Sequence, residues 1–128
     1  MTNVQSESDL THPGLPPLGD ALDFLRLVWA VDHALQRRSK SMAAALGITG
    51  PQRLVIRIVG RFPGVSAGRL ARIILLHPST LSGVLKRLES RGFLERLGDP
   101  GDKRRALFRL TSKGRALDRK TAGTIEAM

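Results

Sequence analysis

The run Asp102-Lys103-Arg104-Arg105 sets three consecutive cations beside a carboxylate, with Asp99 three residues upstream. Guanidinium groups on a short projecting arm suit concentrated negative charge, such as the minor groove of duplex DNA. Asp102 is near enough in sequence to hold Arg104 in place. A second constellation precedes it: Ser79, Thr80, Ser82 and Gly83, then Lys86 and Arg87. Small hydroxyls bond base edges or phosphate oxygens, while Lys86 and Arg87 can neutralise backbone charge or read guanine. Gly83 costs about 0.5–1 kcal/mol inside a helix, yet its missing side chain would let that helix sit deep in a groove. This is the chemistry of recognition. No nucleophile elbow, Gly-rich phosphate loop or paired-carboxylate arrangement accompanies it, so no enzyme is expected. His12, His33 and His77 lack metal-site spacing and no cysteine completes one, so neither a metal nor another cofactor is expected.

The bulk composition agrees. Twenty-one Lys plus Arg against 11 Asp plus Glu give 128 residues a formal charge of +10, which favours polyanionic partners, nucleic acid before an anionic membrane surface. One domain with one modest core fits the length. No stretch approaches the roughly 18 apolar residues of a membrane span, and the N-terminus carries neither a basic start nor an apolar core. A cytoplasmic chain without a membrane partner is the expectation. Without cysteine there is no disulfide and no thiol switch.

The elements that must position these residues follow from periodicity. Residues 1–17, polar with three prolines, read as a flexible arm. From Leu18 a helix runs to Ala45 or Leu46 and stops at Gly47, which can adopt a positive φ. Leu18, Leu22, Leu25 and Trp29 form one apolar stripe; Phe24, Val28, Val31 and Leu35 form another beside it. Two stripes exceed what one small core needs, so one is expected to meet a second copy of the chain. Asp32 falls between them, where a hydrogen bond or an interfacial ion pair is the plain reading. Thr49 caps a second helix with Pro51 in its first turn, and Ser66 caps a third that fails before His77 and Pro78.

A further helix begins near Pro78 or Ser79 and carries the recognition face over Leu81 to Ser90. Leu81, Val84, Leu85 and Leu88 anchor its apolar side. This is helix-turn-helix spacing. Phe93 to Leu97 then reads as a strand, Gly98 to Lys103 as a turn and Arg105 to Leu110 as the returning strand, so that Gly98 to Arg105 forms the wing. The fold class is mainly α with a small β-hairpin wing (α+β): a winged helix-turn-helix with a long N-terminal dimerisation helix (18–46), a DNA-binding lobe (49–110) and a C-terminal helix (111–128).

Over Leu18 to about Asp118 the chain resembles the MarR family of bacterial transcriptional regulators. The carrying residues are Leu88, Glu89 and Arg91 to Phe93 leading into the wing, then Asp99, Pro100, Asp102, Arg104 and the closing Leu110, Thr111 and Gly114. The resemblance implies that the helix bearing Ser79, Thr80, Ser82, Gly83, Lys86 and Arg87 enters a major groove. It also implies that Arg104, supported by Asp102 and flanked by Lys103 and Arg105, reaches a minor groove. It further implies a homodimer on a pseudopalindromic site, repressing nearby genes and released by a small, unidentified effector. A pocket for that effector would draw on Trp29, His33, Phe62 and Leu76. The stretch after Thr111 is shorter than the family's dimer-completing helical sequence. That shortness motivates the alternative reading, a winged-helix protein-interaction module or a truncated regulator acting through mixed dimers.

Overall fold

The computed structural model describes Leu18–Ala127; the expected arm at 1–17 lies outside the described residues. The chain divides into two compact units, Met1–Ala34 and Leu35–Met128. Helix α1 (Asp20–Leu46) runs across both. In the first unit its apolar residues, among them Leu22, Phe24, Leu25, Val28, Trp29 and Val31, lie exposed.

The second unit holds the core. Helix α1 ends before Gly47, whose φ of +75° is the left-handed cap expected there. Helix α2 (Gly50–Arg61) opens on a capping box: the Thr49 hydroxyl accepts from the Gln52 amide and the Gln52 side chain accepts from the Thr49 amide. A two-residue strand, β1 (Val65–Ser66), leads into α3 (Ala67–Ile74), which Ser66 caps through the Arg69 amide. Helix α4 spans Pro78–Ser90, β2 Leu94–Asp99, β3 Asp102–Leu110 and α5 Ser112–Arg119. The strands form an antiparallel sheet of order β1-β3-β2. Val55, Ile56 and Val59 of α2, Leu70 of α3, Leu81, Leu85 and Leu88 of α4, and Phe108 of β3 bury together beneath it. Each such side chain contributes on the order of 1.5–3 kcal/mol by leaving water.

Helix α4 starts at Pro78, as expected, because a proline at the first position needs no N–H partner. Two sequence expectations are corrected and one strand is added. The stretch Gly98 to Lys103 is not a turn: only Pro100 and Gly101 separate the strands, and β3 continues through the charged run. The third strand, β1, is too short to leave an alternating pattern, and it pairs Val65 with Phe108. Finally, the helix that follows Thr111 ends at Arg119 rather than continuing, and the segment after it turns back to a short 3-10 helix (Ile125–Ala127).

That returning segment is held by Arg53, a fully buried arginine on α2. Its Nη1 donates to the Leu117 carbonyl (2.8 Å), its Nη2 to the Lys120 carbonyl (2.7 Å) and to Glu126 Oε2 (2.9 Å), and its Nε to the same carboxylate (3.1 Å). Burial pushes the Glu126 carboxyl up, but the hydrogen bonds from Arg53, its own backbone and Thr124, with the Arg53 charge, outweigh it and hold the group below the ordinary glutamate range. Gly114 has a different constraint: a Cβ there would collide with the Phe93 carbonyl oxygen, so α5 can pack against the start of β2 only without a side chain at that point.

Candidate nucleic-acid interface

The outward face of α4 carries Ser79, Thr80, Ser82, Gly83, Lys86 and Arg87, all exposed, opposite the buried Leu81, Leu85 and Leu88. A Cβ added at Gly83 would meet nothing within 4 Å, so the absent side chain leaves clearance above the helix rather than relieving a contact inside the fold. The turn before α4 holds an outlier. Leu75 caps α3 in the left-handed region (φ +64°, ψ +32°) and is 87% exposed. Glycine is the residue suited to such a cap.

The hairpin places its cations by a break in register. From Leu94↔Leu110 to Gly98↔Ala106 the strands pair residue for residue; the next pair is Asp99↔Asp102. Lys103, Arg104 and Arg105 therefore have no partners on β2 and form a bulge at the tip. Asp99 Oδ1 accepts from the Gly101 amide (2.9 Å) and tightens the turn. Asp102 Oδ1 accepts from the Arg104 amide (3.0 Å): the aspartate fixes the arginine's backbone, not its guanidinium. Arg105, though exposed, bends back onto the fold. Its Nη2 donates to Ser66 Oγ (3.3 Å) and its Nε lies 3.8 Å from Asp99 Oδ2. Among the described residues no carboxylate pairs with the side chains of Lys103 or Arg104.

Below the tip the hairpin is braced. Glu95 and Arg109, directly opposite each other, pair at 2.9 Å. The hydrogen bond from Arg109, then its charge, holds the Glu95 carboxyl below its ordinary range, and Arg109 is raised in turn. Arg96 reaches across to Glu89 of α4 (3.0 Å) and lies over the Phe108 ring at 5.2 Å, tying β2 to α4. Arg91, a cation beside this surface, is likewise structural: it donates to the Gly47 carbonyl and lies over Phe93.

Between α3, α4 and the hairpin lies a cleft of 520 Å³ lined by Arg72, Ser82, Arg96 and Arg104 among others. Arg104 also borders a 300 Å³ cleft with Gly68, Asp102 and Arg105. Of the outward face of α4, Ser82 thus shares a concavity with Arg104. Of the residues expected around an effector, Leu76 lines the larger cleft and Phe62 is the C-cap of α2, while Trp29 and His33 belong to the first unit, where both are exposed. Sequence reasoning missed the capping role of the His77 ring on α4 and the bond by which Ser66, the cap of α3, holds Arg105. The signal for His77 was its place directly before Pro78; nothing in the sequence pairs Ser66 with a residue 39 positions away.

Helix, turn, helix and braced hairpin, with cations at the tip, define a winged helix-turn-helix protein. Comparison with known proteins agrees. A MarR family model matches residues 46–105. The multiple antibiotic resistance protein MarR of Salmonella typhimurium is 30% identical over 114 residues, covering 89% of this chain and 74% of that protein. The chain belongs to the MarR family. The HTH-type transcriptional regulator TtmR of Methylorubrum extorquens is 37% identical over 90 residues, covering 70% of this chain but only 46% of TtmR, so the chain matches under half of that relative's length. Among solved structures, a cysteine-to-serine mutant of Escherichia coli MarR complexed with operator DNA superposes with a TM-score of 0.68 at 28% identity, covering 78% of this chain and 74% of that one. The PcaV regulator of Streptomyces coelicolor, in complex with its natural ligand, gives 0.75 at 27% identity, covering 88% and 79%. No helix among the described residues is long and apolar enough to cross a membrane.

Proposed function

We propose that this chain is a sequence-specific double-stranded-DNA-binding transcriptional regulator, a ligand-responsive repressor acting as a homodimer on a pseudopalindromic operator. The observation that carries the reading is the bulged hairpin tip, where Lys103 and Arg104 stand without carboxylate partners among the described residues, on the same lobe as the exposed Ser79–Arg87 face of α4. In this reading α4 lies in a major groove and Arg104 reaches the adjacent minor groove. Ser79, Thr80 and Ser82 meet base edges or phosphates, Lys86, Arg87 and Lys103 neutralise backbone charge, and Arg105 supports the wing from within.

The dimer reading rests on α1, whose Leu22, Leu25 and Trp29, with Leu18 just before the helix, are exposed in a single copy, Trp29 by 68%. The operator complex of E. coli MarR and the ligand complex of PcaV support the DNA and effector parts by similarity. The test is affinity for duplexes from the flanks of the chain's own gene against scrambled duplexes of equal length, at several salt concentrations. Preference for the former, with log affinity falling linearly in log salt, is expected. Equal affinity for both would remove sequence-specific regulation.

A further inference from the structure

Helix α4 opens on an imidazole where a hydroxyl or carboxylate is usual. The Nδ1 of His77 lies 3.1 Å from the Ser79 amide nitrogen and 2.7 Å from Ser79 Oγ. An amide N–H can only donate, so Nδ1 presents its lone pair and carries no proton. The Ser79 hydroxyl meets the same lone pair and must direct its single proton at the ring. What it has left to offer outward is acceptor capacity alone. Ser79 is exposed, in the first turn of α4, on the face it shares with Ser82, Gly83 and Lys86.

We propose that His77 is a specificity-determining positioning residue, which by claiming the Ser79 proton turns that hydroxyl into an acceptor-only reader of base edges. This rests on α4 being the helix that enters the groove. An acceptor matches the exocyclic amine of cytosine or adenine; it is repelled by guanine O6 and N7, by thymine O4 and by phosphate oxygens. A serine free to rotate its proton would tolerate all of these. His77 thus converts an ambiguous side chain into a selective one without touching DNA.

The experiment is selection from a randomised duplex library by the full chain and by the Ser79→Ala, His77→Ala and His77→Asn variants. Ser79→Ala is expected to flatten one base position. At that position, removing the exocyclic amine, with a cytosine analogue lacking it or with purine in place of adenine, should weaken wild-type binding about fivefold, the worth of one hydrogen bond. The same change should leave Ser79→Ala unaffected. This measurement needs no variant of His77. His77→Ala should flatten that same position and leave the others intact, and His77→Asn, whose amide oxygen can accept from both Ser79 groups, should restore it. An indifferent amine, a preference that survives His77→Ala, or a uniform loss at every position, as from a missing helix cap alone, would each overturn the proposal. A wild-type chain that selects no sequence would overturn the sequence-specific DNA-binding reading itself, and this inference with it.

Discussion

Arg53 and Arg104 carry the same guanidinium into opposite surroundings. Around Arg53 the fold supplies the Leu117 and Lys120 carbonyls and the Glu126 carboxylate, and nothing of the side chain reaches solvent. Around Arg104 it supplies a bond from the amide to Asp102 and leaves the side chain at the border of two clefts. A buried cation must be answered from within, because its desolvation is otherwise prohibitive. An exposed and unanswered one costs the fold little and leaves its charge for a partner to neutralise. The difference separates arginines that build the molecule from arginines that serve it.

The largest way to break this contrast is Arg53→Ala. The carbonyls of Leu117, Asp118 and Lys120 and the Glu126 carboxylate lose their donor and the segment after α5 loses its anchor, so unfolding by denaturant should show a loss of about 3–5 kcal/mol. Arg104→Ala should leave the unfolding midpoint nearly unchanged and weaken operator binding by about 1–3 kcal/mol, with a shallower salt dependence, in a fluorescence anisotropy titration. If Arg104→Ala unfolds the protein, the contrast between the two sites fails.

Leu75→Gly sharpens the picture at the turn between α3 and α4. It removes a left-handed leucine whose side chain is almost wholly in water, and should raise stability by about 1 kcal/mol in thermal or chemical melts. Gly83→Ala should stabilise α4 by about 0.5–1 kcal/mol. Open space surrounds that position in the free protein, so any affinity lost by the variant reports the closeness of the duplex.

The smallest effect concerns pH. A carboxyl held below its ordinary range stabilises the fold at and above that range and loses this contribution as pH falls through its folded value. The stability gap between wild type and Glu126→Gln, followed by thermal melts, should therefore be constant near neutrality and close in acid.

Much of this was legible in the residues themselves. Thr49, Ser66 and Gly47 announce their caps because each type has a specific local geometry to satisfy. The leucine spacing of α4 gives its buried face. The hairpin was read with its cations in a loop, because a charged run has no alternation, whereas strand pairing can carry a bulge through it. The Arg53 clamp depends on carbonyls 64 and 67 residues away, which no local pattern encodes.

The register break in the wing has an evolutionary consequence. The five residue pairs from Leu94↔Leu110 to Gly98↔Ala106 fix the base of the hairpin independently of what lies beyond it. Insertions or deletions among residues 103–105 would alter the reach of the tip by up to about 3.3 Å each without re-registering those pairs or disturbing the core. The wing is in effect an adjustable finger on a fixed hand, so a descendant of this chain can be refitted to a new target without first being destabilised.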